Sequence, residues 1–237
     1  MSKIRFIGIR GAAEGAGSSQ GKTGQSGTVV PVNHGPASEF PLTDGILTIP
    51  AGVRRIPAEA FRGRRDIFAV EFEAPCALET IERAAFCDCD ELREVRFPET
   101  CPLRAVGEDA FRRCTALQSL RLPEGTEELG DNSFSECTSL LSLHLPASLE
   151  TIGRGAFSLC FRLHSVQIPD TVSAIGDEAF FLSRKGGKYI RLDFGRRSDF
   201  SGIHENVLLQ SHHCPRCGRP FPWLNRGTCA CGANLGR

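Results

Sequence analysis

Short segments of alternating apolar and polar residues recur through the middle of the chain, and most of them end at a proline. Examples are Leu120-Arg121-Leu122-Pro123, Leu143-His144-Leu145-Pro146 and Val166-Gln167-Ile168-Pro169. A period of two predicts a β-strand with one buried face. Because proline cannot donate to a β-ladder, it predicts the end of each strand.

These segments belong to a longer repeat that is marked most clearly by a small residue followed by phenylalanine. The pairs are Ala60-Phe61, Ala85-Phe86, Ala110-Phe111, Ser133-Phe134, Ala156-Phe157 and Ala179-Phe180, at spacings of 25, 25, 23, 23 and 23 residues. Cysteine and then leucine follow at intervals of three, as Cys89 and Leu92, Cys114 and Leu117, Cys137 and Leu140, and Cys160 and Leu163. A period in the twenties predicts a solenoid whose units bury their apolar sides by stacking on one another.

With an aliphatic–Gly step such as Ile152-Gly153 before the phenylalanine, the pattern resembles the leucine-rich repeats of the bacterial surface-antigen (BspA-like) type. The resemblance implies a β-solenoid of short parallel strands with short helical turns, used as a protein-interaction scaffold and often exported. Arg64 and Ser183 replace the cysteine in the first and last units. Such departures are typical of capping repeats.

Composition divides the chain into four zones. Residues 1–43 are rich in glycine and serine and predict a flexible leader. We predict a leucine-rich repeat solenoid of about six units over residues 44–195 and a polar linker over 196–213. A separate cysteine module occupies residues 214–237.

The cysteine module predicts a structural zinc site. Cys214 and Cys217 form a C-x2-C pair, and Cys229 and Cys231 form a C-x-C pair after eleven intervening residues. Four thiolates around Zn²⁺ make a closed tetrahedral site, and so short a segment scarcely folds without metal. The module resembles a short zinc ribbon, although its second pair is one residue shorter than usual. A nearby histidine, His212 or His213, is therefore an alternative fourth ligand, and unpaired surface thiols are the other interpretation.

The remaining cysteines favour a structural role. Cys89, Cys114, Cys137 and Cys160 each occupy one repeat position and predict a buried column of small apolar side chains. Cys76 and Cys101 lie in the insertions that lengthen two adjacent units, again 25 residues apart. Packing within the turns is the main interpretation for this pair, and a stress-induced disulfide is the alternative.

No recognisable catalytic constellation is present, so we predict a protein that is not an enzyme. Residues 16–23 have the spacing of a phosphate-binding loop, but Gly24, Gly27 and Pro31 would break the helix that such a loop requires. No run approaches the roughly 18 apolar residues of a membrane helix. The N-terminus also lacks the apolar stretch of a secretory signal. These features predict a cytoplasmic protein without a membrane partner, and export by another route stays open.

Charge is balanced overall, with 28 basic and 28 acidic residues, but it is distributed unevenly. Residues 44–183 carry 14 basic and 23 acidic side chains, whereas residues 184–237 carry 10 and 3. The basic end predicts contact with an anionic partner or with the acidic array of the chain itself. Nucleic-acid binding through Arg216, Arg219 and Arg226 is the alternative to a protein partner.

The strand pattern also predicts where a protein partner binds. In each alternating segment the residue between the two core positions faces outward. Along the stack this rule gives a row of polar residues that we take as the partner-binding candidates: Glu71, Arg96, Arg121, His144, Gln167 and Arg191. Arg96 and Arg121 are notable, because like charges on adjacent strands repel unless an anionic group, such as Glu71 or a ligand, lies near them.

Overall fold

Each repeat forms two short strands, which stack on the strands of the neighbouring repeats. The structure is a computed structural model that describes residues 40–181, 190–195, 199–210 and 213. After β1 (Leu42–Thr43), the first series contains β2 (Ile46–Ile49), β4 (Ala69–Phe72), β6 (Glu94–Arg96), β8 (Ser119–Arg121), β10 (Ser142–His144), β12 (Ser165–Gln167) and β14 (Arg191–Asp193). The second sheet contains β3 (Arg55–Ile56), β5 (Thr80–Ile81), β7 (Ala105–Val106), β9 (Glu128–Leu129), β11 (Thr151–Ile152) and β13 (Ala174–Ile175).

Both series follow the repeat in register. The second sheet is continuous and parallel from β3 to β13. The first series forms three parallel groups, β2–β4–β6, β8–β10 and β12–β14, and a backbone bond of 3.2 Å from Gln118 N–H to the Arg93 carbonyl links the first two groups. The prediction of a β-solenoid is confirmed.

Phenylalanine rings form the centre of the core between the two series. Phe61, Phe86, Phe111, Phe134, Phe157 and Phe180 stack in one column with centroid distances of 5.0–5.4 Å. These rings are at most 2% exposed. Burying apolar surface in this way requires neighbouring units, since a single unit covers only one face of its ring.

Hydrogen-bonded turns connect the strands in the described repeats, where the resemblance implied short helical turns. The residues two before and two after a core ring have left-handed backbones, as at Asp109 (φ 55°) and Arg113 (φ 61°) around Phe111. A positive φ interrupts a right-handed helix and favours tight turns. The amides of the turn bond instead to the next unit, as Phe111 N–H does to the Ser133 carbonyl at 2.8 Å.

Close approach between these turns explains the aliphatic–Gly step. A Cβ atom on Gly153 would lie 2.5 Å from the carbonyl carbon of Gly130 and 2.6 Å from the amide nitrogen of Asp131. Such distances leave no room for a side chain, so glycine is required where one turn crosses its neighbour.

A β-hairpin covers the first end of the stack. β1 pairs antiparallel with β2 through a two-residue turn at Asp44 (φ 51°) and Gly45 (φ 79°), the conformation of a type I′ hairpin. Phe40 packs against Phe61 at a centroid distance of 5.8 Å and so covers the end of the ring column. Residues 40–43, placed by the sequence in the leader, are therefore part of the folded array.

A short helix covers the other end. Helix α1 (Glu205–Gln210) follows a bridge between Ile203 and Ile175, and it buries Val207 and Leu208 against the last turn. The prediction of a polar linker over residues 196–213 therefore needs correction in its described part. The reason is that these apolar side chains supply the surface that a further repeat would otherwise cover.

Candidate interaction face

The outward residues of the first strand series form one continuous polar surface, which we call the front face: Glu71, Glu94, Arg96, Ser119, Arg121, Ser142, His144, Ser165, Gln167, Arg191 and Asp193. Glu71 pairs in register with Arg96, and Arg121 pairs with His144. Gln167, however, pairs with Asp193. Arg191, the last residue of the predicted row, also faces outward, but it pairs with Ser165 and so lies in the row beside Gln167.

Carboxylates neutralise the first half of the front face. The Arg96 guanidinium donates to Glu71 on the preceding strand and to Glu94 two residues earlier on its own strand. The hydrogen bond from Arg96 holds the pKa of Glu94 below its ordinary value. Glu71 and Glu94 together therefore supply the anionic charge that Arg96 requires, without an external ligand.

The second half of the front face has no such neutralisation. Arg121 is exposed, and it forms no ion pair with any residue that the structure describes. Its in-register neighbour His144 is exposed and equally without an ion pair among the described residues. The exposed guanidinium of Arg121 therefore lies on β8, the middle strand of the first series. Its five N–H donors can bond to an anionic group of another molecule.

A column of serines lies beside Arg121, and the sequence reasoning did not single it out. Ser142 pairs in register with Ser119, and Ser165 pairs with Arg191. All three serines are exposed, and their hydroxyl groups bond to no other described side chain or backbone group. The signal was available in the sequence, because a residue two positions before the predicted outward residue faces the same side of a strand.

One large apolar side chain borders this half. Leu141 directly precedes β10 and is 44% exposed, and the half-buried Leu143 follows it within the strand. Hydroxyl groups, a guanidinium and an imidazole thus share the front face, and an exposed leucine directly precedes one of its strands. Such a mixture of hydrogen-bond donors and apolar contact is typical of protein-binding surfaces.

The repeated cysteines lie in the core, as predicted. Each Sγ donates to the carbonyl of the core phenylalanine in the preceding unit, for example Cys114 to Phe86 at 3.2 Å and Cys137 to Phe111 at 3.3 Å. Burial raises the pKa of Cys89 and Cys160 to about 12. Thiols so buried and bonded scarcely form the reactive thiolate, which fits packing rather than redox chemistry.

The predicted zinc ligands Cys214, Cys217, Cys229 and Cys231 lie outside the described residues, as do His212 and the basic Arg216, Arg219 and Arg226. Within the residues that are described, no cluster of three or more potential metal ligands occurs. His213 is described, and its ring contacts Phe194 edge-on at 5.0 Å. In the same part of the chain, no helix has the length and apolar character needed to cross a membrane.

Comparison with known proteins identifies the class. Six copies of the BspA-type leucine-rich repeat match residues 54–185, so the chain belongs to this family. Leucine-rich repeat proteins are generally protein-interaction scaffolds and are typically not enzymes. A search of curated proteins found no match.

Two solved structures illustrate the similarity. A leucine-rich repeat protein from Bacteroides ovatus ATCC 8483 is 29% identical with a TM-score of 0.53, and the match covers 63% of this chain and 37% of that one. The leucine-rich repeat protein of T. pallidum is also 29% identical with a TM-score of 0.46, over 63% of this chain and 67% of that one. This chain thus spans well under half of the Bacteroides protein.

Proposed function

We propose that this protein is a non-catalytic scaffold whose partner-binding surface is the second half of the front face, from β8 to β14. The observation that supports this proposal is the contrast between two arginines on consecutive strands of the first series. Arg96 is held by Glu71 and Glu94, whereas Arg121 forms no ion pair among the described residues and lies beside serine hydroxyls without bonds to other described groups.

The chemistry of this half favours an extended acidic segment of a protein as the partner. A carboxylate can accept two parallel N–H bonds from Arg121, while backbone groups of the segment can bond to the hydroxyls of Ser119 and Ser142. Leu141 offers an apolar contact at the border. Electrostatic complementarity of this kind gives an interface its specificity and its rate of association.

A pair of matched arginines provides the test. Arg104 is exposed like Arg121 and forms no ion pair with a described residue, but it lies before β7 on the second sheet. Proteins captured from a lysate of the source cells by the full chain are identified, and their affinities are measured with purified components. Arg121→Glu should weaken binding severalfold, and Arg104→Glu should leave it unchanged.

Photo-crosslinking then locates the contact. A photoreactive residue at Ser142 on the front face should crosslink to the captured protein, whereas one at Ser173, before β13, should not. Equal crosslinking from both positions, or equal losses in the two arginine variants, would contradict the proposal. Capture that collapses after nuclease treatment would favour the alternative, a nucleic-acid-associated protein that binds through its basic C-terminal module.

We also propose a structural zinc ion for residues 214–237, supported by the spacing of Cys214, Cys217, Cys229 and Cys231. Metal analysis of reduced, chelator-free protein should give one zinc per chain. Cys214→Ser combined with Cys217→Ser should abolish it, and His212→Ala should retain it if the four thiolates are the ligands. Freshly purified protein without metal would refute the site.

A further inference from the structure

Two cysteines outside the buried column lie close together. Cys76 and Cys101 occupy equal positions in the two adjacent units that are lengthened to 25 residues, and their Sγ atoms are 2.9 Å apart. Cys76 follows β4 and Cys101 follows β6, each four residues after a phenylalanine, and the rings of these two residues, Phe72 and Phe97, stack at 4.9 Å.

This arrangement differs from that of the thiols in the core. Cys89, Cys114 and Cys137 each bond to a backbone carbonyl, so that each has an acceptor other than sulfur. The partner of Cys76 is the thiol of Cys101. Cys76 is half-buried and Cys101 is 3% exposed, so a small reagent reaches Cys76 more readily than Cys101.

We propose that Cys76 and Cys101 are a modification site at which a hydroperoxide forms a reversible disulfide between two turns of the solenoid. The proposal is independent of the binding surface proposed above. The pKa of Cys101 is raised to about 12, mainly by burial and also by the hydrogen bond with the Cys76 thiol. Because Cys76 is the more exposed of the two residues, its sulfur meets the oxidant, and the Cys101 sulfur completes the bond.

The reaction balances in two steps. The Cys76 thiolate attacks a peroxide oxygen, the O–O bond breaks, and Cys76 becomes a sulfenic acid while the other oxygen leaves and takes up a proton. Cys101 then attacks the Cys76 sulfur, its proton combines with the departing hydroxyl, and water leaves as the S–S bond forms. Two electrons pass from the thiols to one hydroperoxide. A small dithiol restores both thiols by exchange.

A disulfide at this site would connect one turn of the array to the next. It would enclose one whole repeat and so restrict the unfolded chain. Oxidation should therefore raise the melting temperature by about 5–10 °C, a shift that a reducing agent should reverse.

Peptide mapping provides a direct test. Trypsin releases residues 66–83 with Cys76 as the only cysteine and residues 97–104 with Cys101 as the only cysteine, while Cys87 and Cys89 lie together in residues 84–93. The full chain is treated with hydrogen peroxide, the remaining thiols are blocked, and the digest is analysed without reduction. The expected result is a linked pair of peptides 66–83 and 97–104, which a dithiol separates.

Matched serine variants distinguish this bond from general oxidation. Cys76→Ser should abolish the linked peptide and the rise in melting temperature, whereas Cys87→Ser should retain both. The proposal is refuted by wild-type peroxide-treated protein that shows no linked peptide 66–83 with 97–104, or by a rise in melting temperature that persists in Cys76→Ser. The peptide map of the wild-type protein tests the disulfide without any variant, so it remains informative even if a variant fails to fold.

Discussion

Truncation of one ring in the phenylalanine column tests the packing of the whole array. Phe134 is 0% exposed and lies between Phe111 and Phe157, with ring-centroid distances of 5.2 and 5.4 Å. The angle between the ring plane of Phe134 and that of each neighbour is 4°. Phe134→Ala would leave a cavity and remove two stacked contacts. Changes of this kind lower the free energy of unfolding by about 3–5 kcal/mol, out of roughly 5–15 kcal/mol for a typical domain.

The assay is urea unfolding followed by far-ultraviolet circular dichroism, which reports on the strands. Phe181→Ala is the matched control, because Phe181 is 37% exposed and follows the column residue Phe180. Its free energy of unfolding should stay within about 0.5 kcal/mol of the wild type. If Phe134→Ala and Phe181→Ala unfolded at the same urea concentration, the phenylalanine column would not be the source of the stability of the array.

Three further predictions test local features of the solenoid. Ser133→Ala should raise the free energy of unfolding by about 1 kcal/mol, since the buried hydroxyl has no partner among the described residues; Ala110→Ser should lower it in the same denaturation assay. Gly153→Ala should lower it by about 1–3 kcal/mol, because the new Cβ meets backbone at 2.5 Å, and an unchanged melting temperature would contradict this contact. The hydrogen bond from Asn206 lowers the pKa of Asp177. The bond therefore stabilises the fold fully at pH values above the ordinary carboxyl pKa, and this stabilisation is lost as the pH falls through the lowered pKa of Asp177. Asn206→Ala should raise the Asp177 pKa measured by NMR titration, and an unchanged pKa would show that the bond does not form in solution.

The repeat itself could be predicted because its residues have few alternative environments. A phenylalanine at a fixed interval in each unit has no solvent-free position except against the same residue of its neighbours. The buried position of the Cys114 thiol could be predicted for the same reason, because a small side chain at a fixed interval packs against the neighbouring repeat. The alternation of Leu120, Arg121 and Leu122 likewise determined which side of the strand faces outward.

The ends and the pairing of exposed charges were harder to predict. Ile203 and Val207 look like isolated apolar residues in a polar stretch, and only the uncovered last turn gives them a place to pack. The register of Arg191 could not be read from a fixed repeat length, because Gln167 pairs with Asp193, 26 residues later, and not with a residue 23 positions away. The outward direction of Glu94 could have been predicted from the alternation. Its hydrogen bond with Arg96 could not, because that bond depends on side-chain geometry that alternation does not specify.

The two covered ends determine how this kind of protein can change in length. The hairpin of β1 and β2 and the segment that contains α1 occupy the positions where another repeat would attach. A chain extension beyond either end would therefore meet a surface that is already satisfied, and loss of either end would expose strand edges that favour association between molecules. Duplication of an internal 23-residue unit creates no new end. Evolution can therefore lengthen the front face from within while the two covered ends stay unchanged.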